Sequence, residues 1–234
     1  MTKSTAVKST ASRRARQSNS SSFAIWLITI SVLVVAVVVG SIILSNRPST
    51  KPIAAPDVPA NWINRTTLGN PDAKVTVQAW EDFLCPHCQR WSTEIEPKLF
   101  TDFIKTGKAR LEFHQFPLQS HEPGASMAAL ASECAADQNA FWPYQEKLFS
   151  VQGQDQAGYV LEKLTAYATE LNLDTSKFSQ CMSGLQHQGE VTASVNQAIK
   201  LGLDSTPSIL VNGKKLDNPY DYAALTTTIN QLAK

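Results

Sequence analysis

The chain has 234 residues, with 21 Lys and Arg against 20 Asp and Glu. This near-neutrality hides a division. Five cations and no acid lie in residues 1–22, which leaves 16 basic against 20 acidic side chains in the remainder. A mildly acidic main body has no electrostatic footprint for nucleic acid, so that class of partner is set aside.

Residues 1–22 are rich in Ser, Thr, Lys and Arg without an apolar period and are expected to be disordered. Residues 23–44, FAIWLITISVLVVAVVVGSIIL, carry no charge. At helical rise they would reach about 33 Å, enough for one transmembrane helix. The run is longer than the apolar core of a cleaved signal peptide, so it is read as an uncleaved membrane anchor. Five cations precede it and only Arg47 and Lys51 follow closely. That bias predicts a cytoplasmic N-terminus and an extracytoplasmic remainder. Residues 45–61 hold prolines at 48, 52, 56 and 59 and read as an extended spacer. One globular domain is expected over 62–234.

Within that domain, KVTVQAW (74–80) predicts a strand ending just before a Cys pair. A helix should follow, with its apolar stripe at Trp91, Ile95, Leu99 and Ile104, closed by Gly107. ARLEFHQFPL (109–118) alternates and predicts a second strand. Helices are expected at about 124–136, 140–150, 158–171, 175–184 and 188–201. PSILVNGKKL (207–216) predicts a hairpin turning at Asn212-Gly213, and 220–233 a last helix. The fold class is therefore α/β with a helical insertion.

Cys85-Pro86-His87-Cys88 admits three readings. A structural zinc site needs four Cys or His ligands in short-spaced pairs. Cys134 and Cys181 are single, and no two His are three to five residues apart. An inert staple across two residues would constrain the unfolded chain little. Redox chemistry fits the position, because Cys85 opens a helix whose unpaired N–H groups and dipole stabilise a thiolate. Pro86 occupies a first-turn position that needs no N–H donor. His87 is expected to add positive charge or a hydrogen bond to that thiolate, the alternative being a neutral surface residue. A stabilised thiolate favours the reduced form and makes the disulfide an oxidant. Cys85, the more exposed sulfur, would form the mixed disulfide with substrate.

EDFLCPHC, HQFPL, CAADQNAFWPYQEKLF and LGLDSTPSILVNG together resemble the DsbA-like branch of the thioredoxin superfamily. The resemblance runs from about Leu68 to Gly213. It implies a thioredoxin fold with a helical domain inserted at about 119–203, and a cis Pro207 facing the Cys pair. It also implies that Thr206, with Pro86, contacts an extended substrate strand. Many members carry a buried acid six residues before the first Cys, where this chain has Ala79. Glu81 or water is expected to take over that role. Cys134 and Cys181 could be two buried thiols, but the resemblance implies a structural disulfide within the insertion, contributing about 4 kcal/mol.

The function expected is that of a membrane-anchored, extracytoplasmic thiol–disulfide oxidoreductase that oxidises exported proteins with free thiols. No cofactor or metal is expected. The resemblance implies a membrane quinone-linked re-oxidising partner of the DsbB or vitamin K epoxide reductase type. Two rivals are a reductase or isomerase of the same fold and a non-catalytic peptide-binding assembly factor.

Overall fold

Val75, Val77 and Ala79 alternate with part-exposed Thr76 and Gln78, so strand β3 (Val75–Glu81) buries one face completely. The computed structural model describes residues 20–45, 54–153 and 155–234. β3 is central in a six-stranded sheet of order β1-β2-β4-β3-β5-β6. The others are β1 (Ile63–Asn64), β2 (Thr67–Gly69), β4 (Ala109–Gln115), β5 (Ser208–Val211) and β6 (Lys214–Lys215). β3 and β4 run parallel, and every other pairing is antiparallel. Ala79 stands opposite Phe113 on one side and Ile209 on the other.

The β1–β2 hairpin is absent from the sequence expectation. Its strands are too short to show a period, and its turn uses Arg65 at φ 50° instead of a glycine. Gly69 closes β2 against β4 at φ +123°, and a Cβ there would lie 2.8 Å from the Arg110 Cα. Only glycine fits that approach.

The helix expected from the Cys pair to Gly107 is broken. Helix α2 (Pro86–Glu94) stops before Ile95, and α3 (Glu96–Leu99) restarts with Pro97 near its head. A wide turn then covers Phe100–Ile104. Pro97 cannot donate to the carbonyl four residues back, which interrupts the ladder. The stripe is buried nonetheless: Trp91, Ile95, Leu99 and Ile104 all lie in the core.

Between β4 and β5 come five helices: α4 (Gly124–Ala136), α5 (Phe141–Ser150), α6 (Leu161–Glu170), α7 (Thr175–Ser183) and α8 (Gln188–Lys200). The segment expected as one helix from 158 starts later, after a short 3₁₀ turn at Asp155–Tyr159. Tyr144, Leu148, Phe149, Leu164 and Phe178 of this block share one apolar core with the β3–β4 face. Helix α9 (Tyr222–Leu232) completes the domain, its N-terminus capped by Asp221.

Cys134 on α4 and Cys181 on α7 are joined in a disulfide. Beside it, Arg65 reaches from the hairpin to Glu133 (2.8 Å), to Asp137 and to Glu190 (3.5 Å). His187 bridges Asp137 (2.7 Å) and Glu190 (2.9 Å). Burial alone would lower the His187 pKa, but these two carboxylates raise it above the ordinary value. Asp137, Cys181 and His187 hold donor atoms within 4.8 Å of one another. The Cys181 sulfur is bonded to Cys134, and the Arg65 guanidinium already compensates the acids.

A separate helix, α1 (Ser20–Ser45), covers the expected anchor. Among the described residues, however, no helix is long and apolar enough to cross a membrane. The anchor therefore remains a reading of the sequence. The expected disordered tail falls outside the described residues up to position 19, as does the spacer over 46–53. From 54 onward the described residues of this segment make contacts with the domain. Asp57 pairs with Lys105 at 2.5 Å, and Val58 packs against the core.

Candidate active site

The loop from β3 into α2 is fastened by Asp82. Its buried carboxylate accepts from Leu84 N at 2.7 Å and Leu118 N at 2.8 Å, and lies 2.8 Å from His121 Nδ1. Phe83 then stacks on Phe113 with centroids 5.1 Å apart. From the insertion, Gln152 Nε2 donates to the carbonyls of Phe83 (2.5 Å) and Cys85 (3.0 Å). Tyr159 Oη donates to the same Phe83 carbonyl at 3.2 Å. Two parts of the chain thus fix the Cys85 backbone before α2 begins.

Cys85 is the N-cap of α2, with Pro86 at the helix entrance. Its sulfur lies 3.4 Å from the Thr206 carbonyl, and the Thr206–Pro207 peptide is cis. Thr206 and Pro207 are buried, and Thr206 Oγ1 has no hydrogen-bond partner. The structure therefore brings Cys85, Cys88, Thr206 and Pro207 together. Pro86 and His87 lie exposed at the rim.

Both active-site sulfurs are unbridged, and their environments differ. The Cys85 pKa is lowered to about 5, chiefly by a hydrogen bond from the Cys88 thiol, against the opposing effect of burial. Thr206 and the backbone N–H groups of Cys88 and His87 add to the lowering. Of the two contributions expected of the His87 side chain, the hydrogen bond is not made. Among the described residues its imidazole makes no hydrogen bond to Cys85, and it is the His87 backbone that helps. Burial pushes the Cys88 thiol well above its ordinary value, aided by its bond to Cys85 and by the charge of Glu81. The N–H of Asp82 donates to Cys88 Sγ at 3.4 Å.

Glu81 faces the same core as Ala79. It is 1 % exposed, and neither carboxylate oxygen has a partner. Burial, then the charges of Glu96 and Cys85, push its pKa well above the usual range. A buried acid is thus present, two residues beyond Ala79 on the same face of the strand. Glu96, raised to about 7 mainly by burial, accepts from Gln145 Nε2 at 3.0 Å and lines a cleft of about 570 Å³.

Sequence reasoning missed three groups at this site. Asp82 falls on the strand face opposite Glu81, and nothing in its sequence neighbourhood marks its part in fastening the loop. Gln152 and Tyr220 stand 67 and 133 residues from the backbone atoms they bind, and no local pattern marks them. Tyr220 Oη donates to the His87 carbonyl at 2.8 Å, and the Arg90 guanidinium lies 4.3 Å from its ring centroid.

The arrangement suits thiol–disulfide exchange. A low-pKa sulfur at a helix entrance attacks or leaves readily. Its neighbour is held protonated, and the charge of the buried Glu81 acts on that thiol.

Comparison with known proteins agrees. The family profile described as thioredoxin matches residues 62–231. Disulfide bond formation protein D of Bacillus subtilis is 34% identical over 173 residues, covering 71% of this chain and 76% of that protein. The crystal structure of oxidised BdbD from Bacillus subtilis aligns with TM-score 0.66 at 29% identity, over 73% of this chain and 93% of that one. Wolbachia pipientis alpha-DsbA1 shares the fold, with TM-score 0.62 at 23% identity over 75% and 93% of the two chains. The chain belongs to the thioredoxin family, as a DsbA-like thiol–disulfide oxidoreductase.

Proposed function

We propose that this enzyme is an extracytoplasmic oxidase that introduces disulfides into exported proteins through Cys85 and Cys88. The observation that carries the direction is the place of the Cys85 sulfur at the N-cap of α2, beside Cys88 and Thr206, where its pKa is lowered toward the thiolate of the reduced form. Stabilising the reduced form makes the Cys85–Cys88 disulfide a strong oxidant.

In the forward reaction a substrate thiolate attacks Cys85 Sγ. The Cys85–Cys88 bond breaks, a mixed disulfide forms, and Cys88 leaves with the electron pair and takes up a proton. A second substrate thiolate then attacks the substrate sulfur of the mixed disulfide and expels the Cys85 thiolate. The substrate loses two electrons and the enzyme ends as the dithiol. Glu81 is assigned as the group that supplies the Cys88 proton and receives it on re-oxidation. Thr206 and Pro207 form the wall against which an extended substrate strand lies, with Pro86 and His87 at the rim. Cys134–Cys181 takes no part in the exchange.

The apolar run 23–44 is assigned from hydropathy as the segment that carries the domain across the membrane and holds it there. Resistance of the full chain to alkaline carbonate extraction tests that assignment. A tethered enzyme would be re-oxidised by a membrane quinone-linked partner of the DsbB or vitamin K epoxide reductase type.

The deciding experiment equilibrates the purified full chain in glutathione buffers and measures the oxidised fraction of Cys85–Cys88. A potential near about −120 mV supports the oxidase, whereas one near thioredoxin's, about −270 mV, would overturn it in favour of a reductase. Cys88→Ala should accumulate mixed disulfides through Cys85. Their absence would favour a non-catalytic binding factor.

A further inference from the structure

Tyr220 lies on the loop between β6 and α9, 133 residues from the Cys motif, yet its hydroxyl binds inside that motif. The acceptor is the carbonyl of His87, 2.8 Å away. That carbonyl and the Cys88 N–H are the two ends of one planar peptide unit. The Cys88 N–H points back toward Cys85, its nitrogen 3.0 Å from the Cys85 carbonyl oxygen, and it is one of the amides at the helix entrance that favour the Cys85 thiolate. A chain of hydrogen bonds therefore runs from Tyr220 through the His87–Cys88 peptide to the Cys85 side.

Several contacts hold the tyrosine for this role. Its own N–H donates to Asn218 Oδ1 at 3.0 Å, its ring packs against the core, and Arg90 covers the ring at 4.3 Å. Arg90 is itself held by Glu94 at 3.0 Å. Burial, and next the charge of Cys88, raise the Tyr220 pKa to about 12, so the hydroxyl remains a donor throughout the working range. Donation to a peptide carbonyl polarises the unit and strengthens its N–H as a donor in turn. It also prevents the peptide from rotating its N–H away from the sulfur.

We infer that Tyr220 is a positioning residue of the redox centre: through the His87–Cys88 peptide its hydroxyl orients and strengthens the amide donor that stabilises the Cys85 thiolate. This rests on reading Cys85 as the exchanging sulfur. It adds a second loop, remote from both the Cys motif and Thr206-Pro207, to the groups that set the oxidising power.

The test compares the reduced full chain with Tyr220→Phe, which keeps the ring and its stack on Arg90 but removes the donor. Thiolate absorbance near 240 nm is followed against pH. The Cys85 midpoint should rise by about half a unit, roughly a threefold loss of thiolate below the midpoint, while the unfolding temperature of the oxidised form is unchanged. Placing 3-fluorotyrosine at 220 keeps the fold and strengthens the donor, so the midpoint should fall, a sign that a merely structural role would not produce. An unchanged midpoint in Tyr220→Phe or in the fluorinated chain, beside a wild-type midpoint near 5, overturns the Tyr220 inference alone. A wild-type midpoint near that of a free thiol overturns the exchange reading and this inference with it.

Discussion

The chain holds two cysteine pairs that burial does not distinguish. Cys85 and Cys88 are 5% and 0% exposed, Cys134 and Cys181 2% and 4%. What separates them is the company of the sulfurs. The first pair sits at a helix entrance among amide and hydroxyl donors, with a carboxylic acid lacking hydrogen-bond partners nearby. The second links two helices of a packed block, 47 residues apart in sequence. A short loop gives a disulfide little to stabilise, and donors that favour a thiolate make it easy to open. A long loop whose sulfur lies beside a carboxylate instead of thiolate-stabilising donors has the opposite effects. Reactivity and inertness are thus written into second neighbours of sulfur, at equal depth.

The largest test of this contrast is exchange itself. Cys85→Ala should abolish oxidation of a dithiol peptide, with a fall of at least about a thousandfold. Cys134→Ala with Cys181→Ala should leave the rate close to normal. The double variant should instead lose stability, by about 4 kcal/mol for a loop of this length, measured by urea unfolding. Comparable activity losses in the two variants would erase the distinction.

A smaller effect separates function from stability at Glu81. Its unpartnered carboxyl costs folding energy, so Glu81→Leu should raise stability by about 1–3 kcal/mol. It should also slow the proton-coupled release of Cys88, seen in stopped-flow reduction. A variant that is less stable and equally fast would remove Glu81 from the proton route.

The pH dependence carries a sign. The folded Cys85 pKa, about 5, lies below the ordinary value of about 8.5. The stability it gives the reduced chain is complete above about pH 8.5 and is lost as pH falls through 5. The oxidised chain has no such titration, so the gap in unfolding free energy should widen in favour of the reduced form from pH 5 to 8.5. The smallest effect belongs to the cluster beside the structural disulfide. His187 has a raised pKa, so its contribution is complete below about pH 6.5 and is lost as pH rises through the folded value. His187→Gln should cost about 0.5–1 kcal/mol at pH 6 and less at pH 9, with no change in exchange rate.

Local signals explain what the sequence made legible. Alternation marked β3 and β4, Asn212-Gly213 marked the β5–β6 turn, and Cys85 and Cys88 were marked by spacing and by the strand before them. The β1–β2 hairpin escaped because two- and three-residue strands show no period. The break at Ile95 escaped because its apolar stripe continues unbroken in the core while the backbone does not. Glu81 was a candidate from alternation, but only the fold shows both its oxygens without partners. Gln152 and Tyr220 donate to backbone carbonyls of the motif and Asp82 accepts from backbone N–H groups outside it, and a backbone partner leaves no trace in residue identity.

Gln152 has a wider consequence. It belongs to the helical insertion, yet its amide holds the carbonyls of Phe83 and Cys85. The insertion is therefore not a detachable ornament on a ready-made thioredoxin unit. Exchanging it for a relative's version would transplant part of the redox set-point, and deleting it would leave the sulfur loop without one of its two anchors. Selection on what the helices bind and selection on how strongly the cysteines oxidise act here through one side chain.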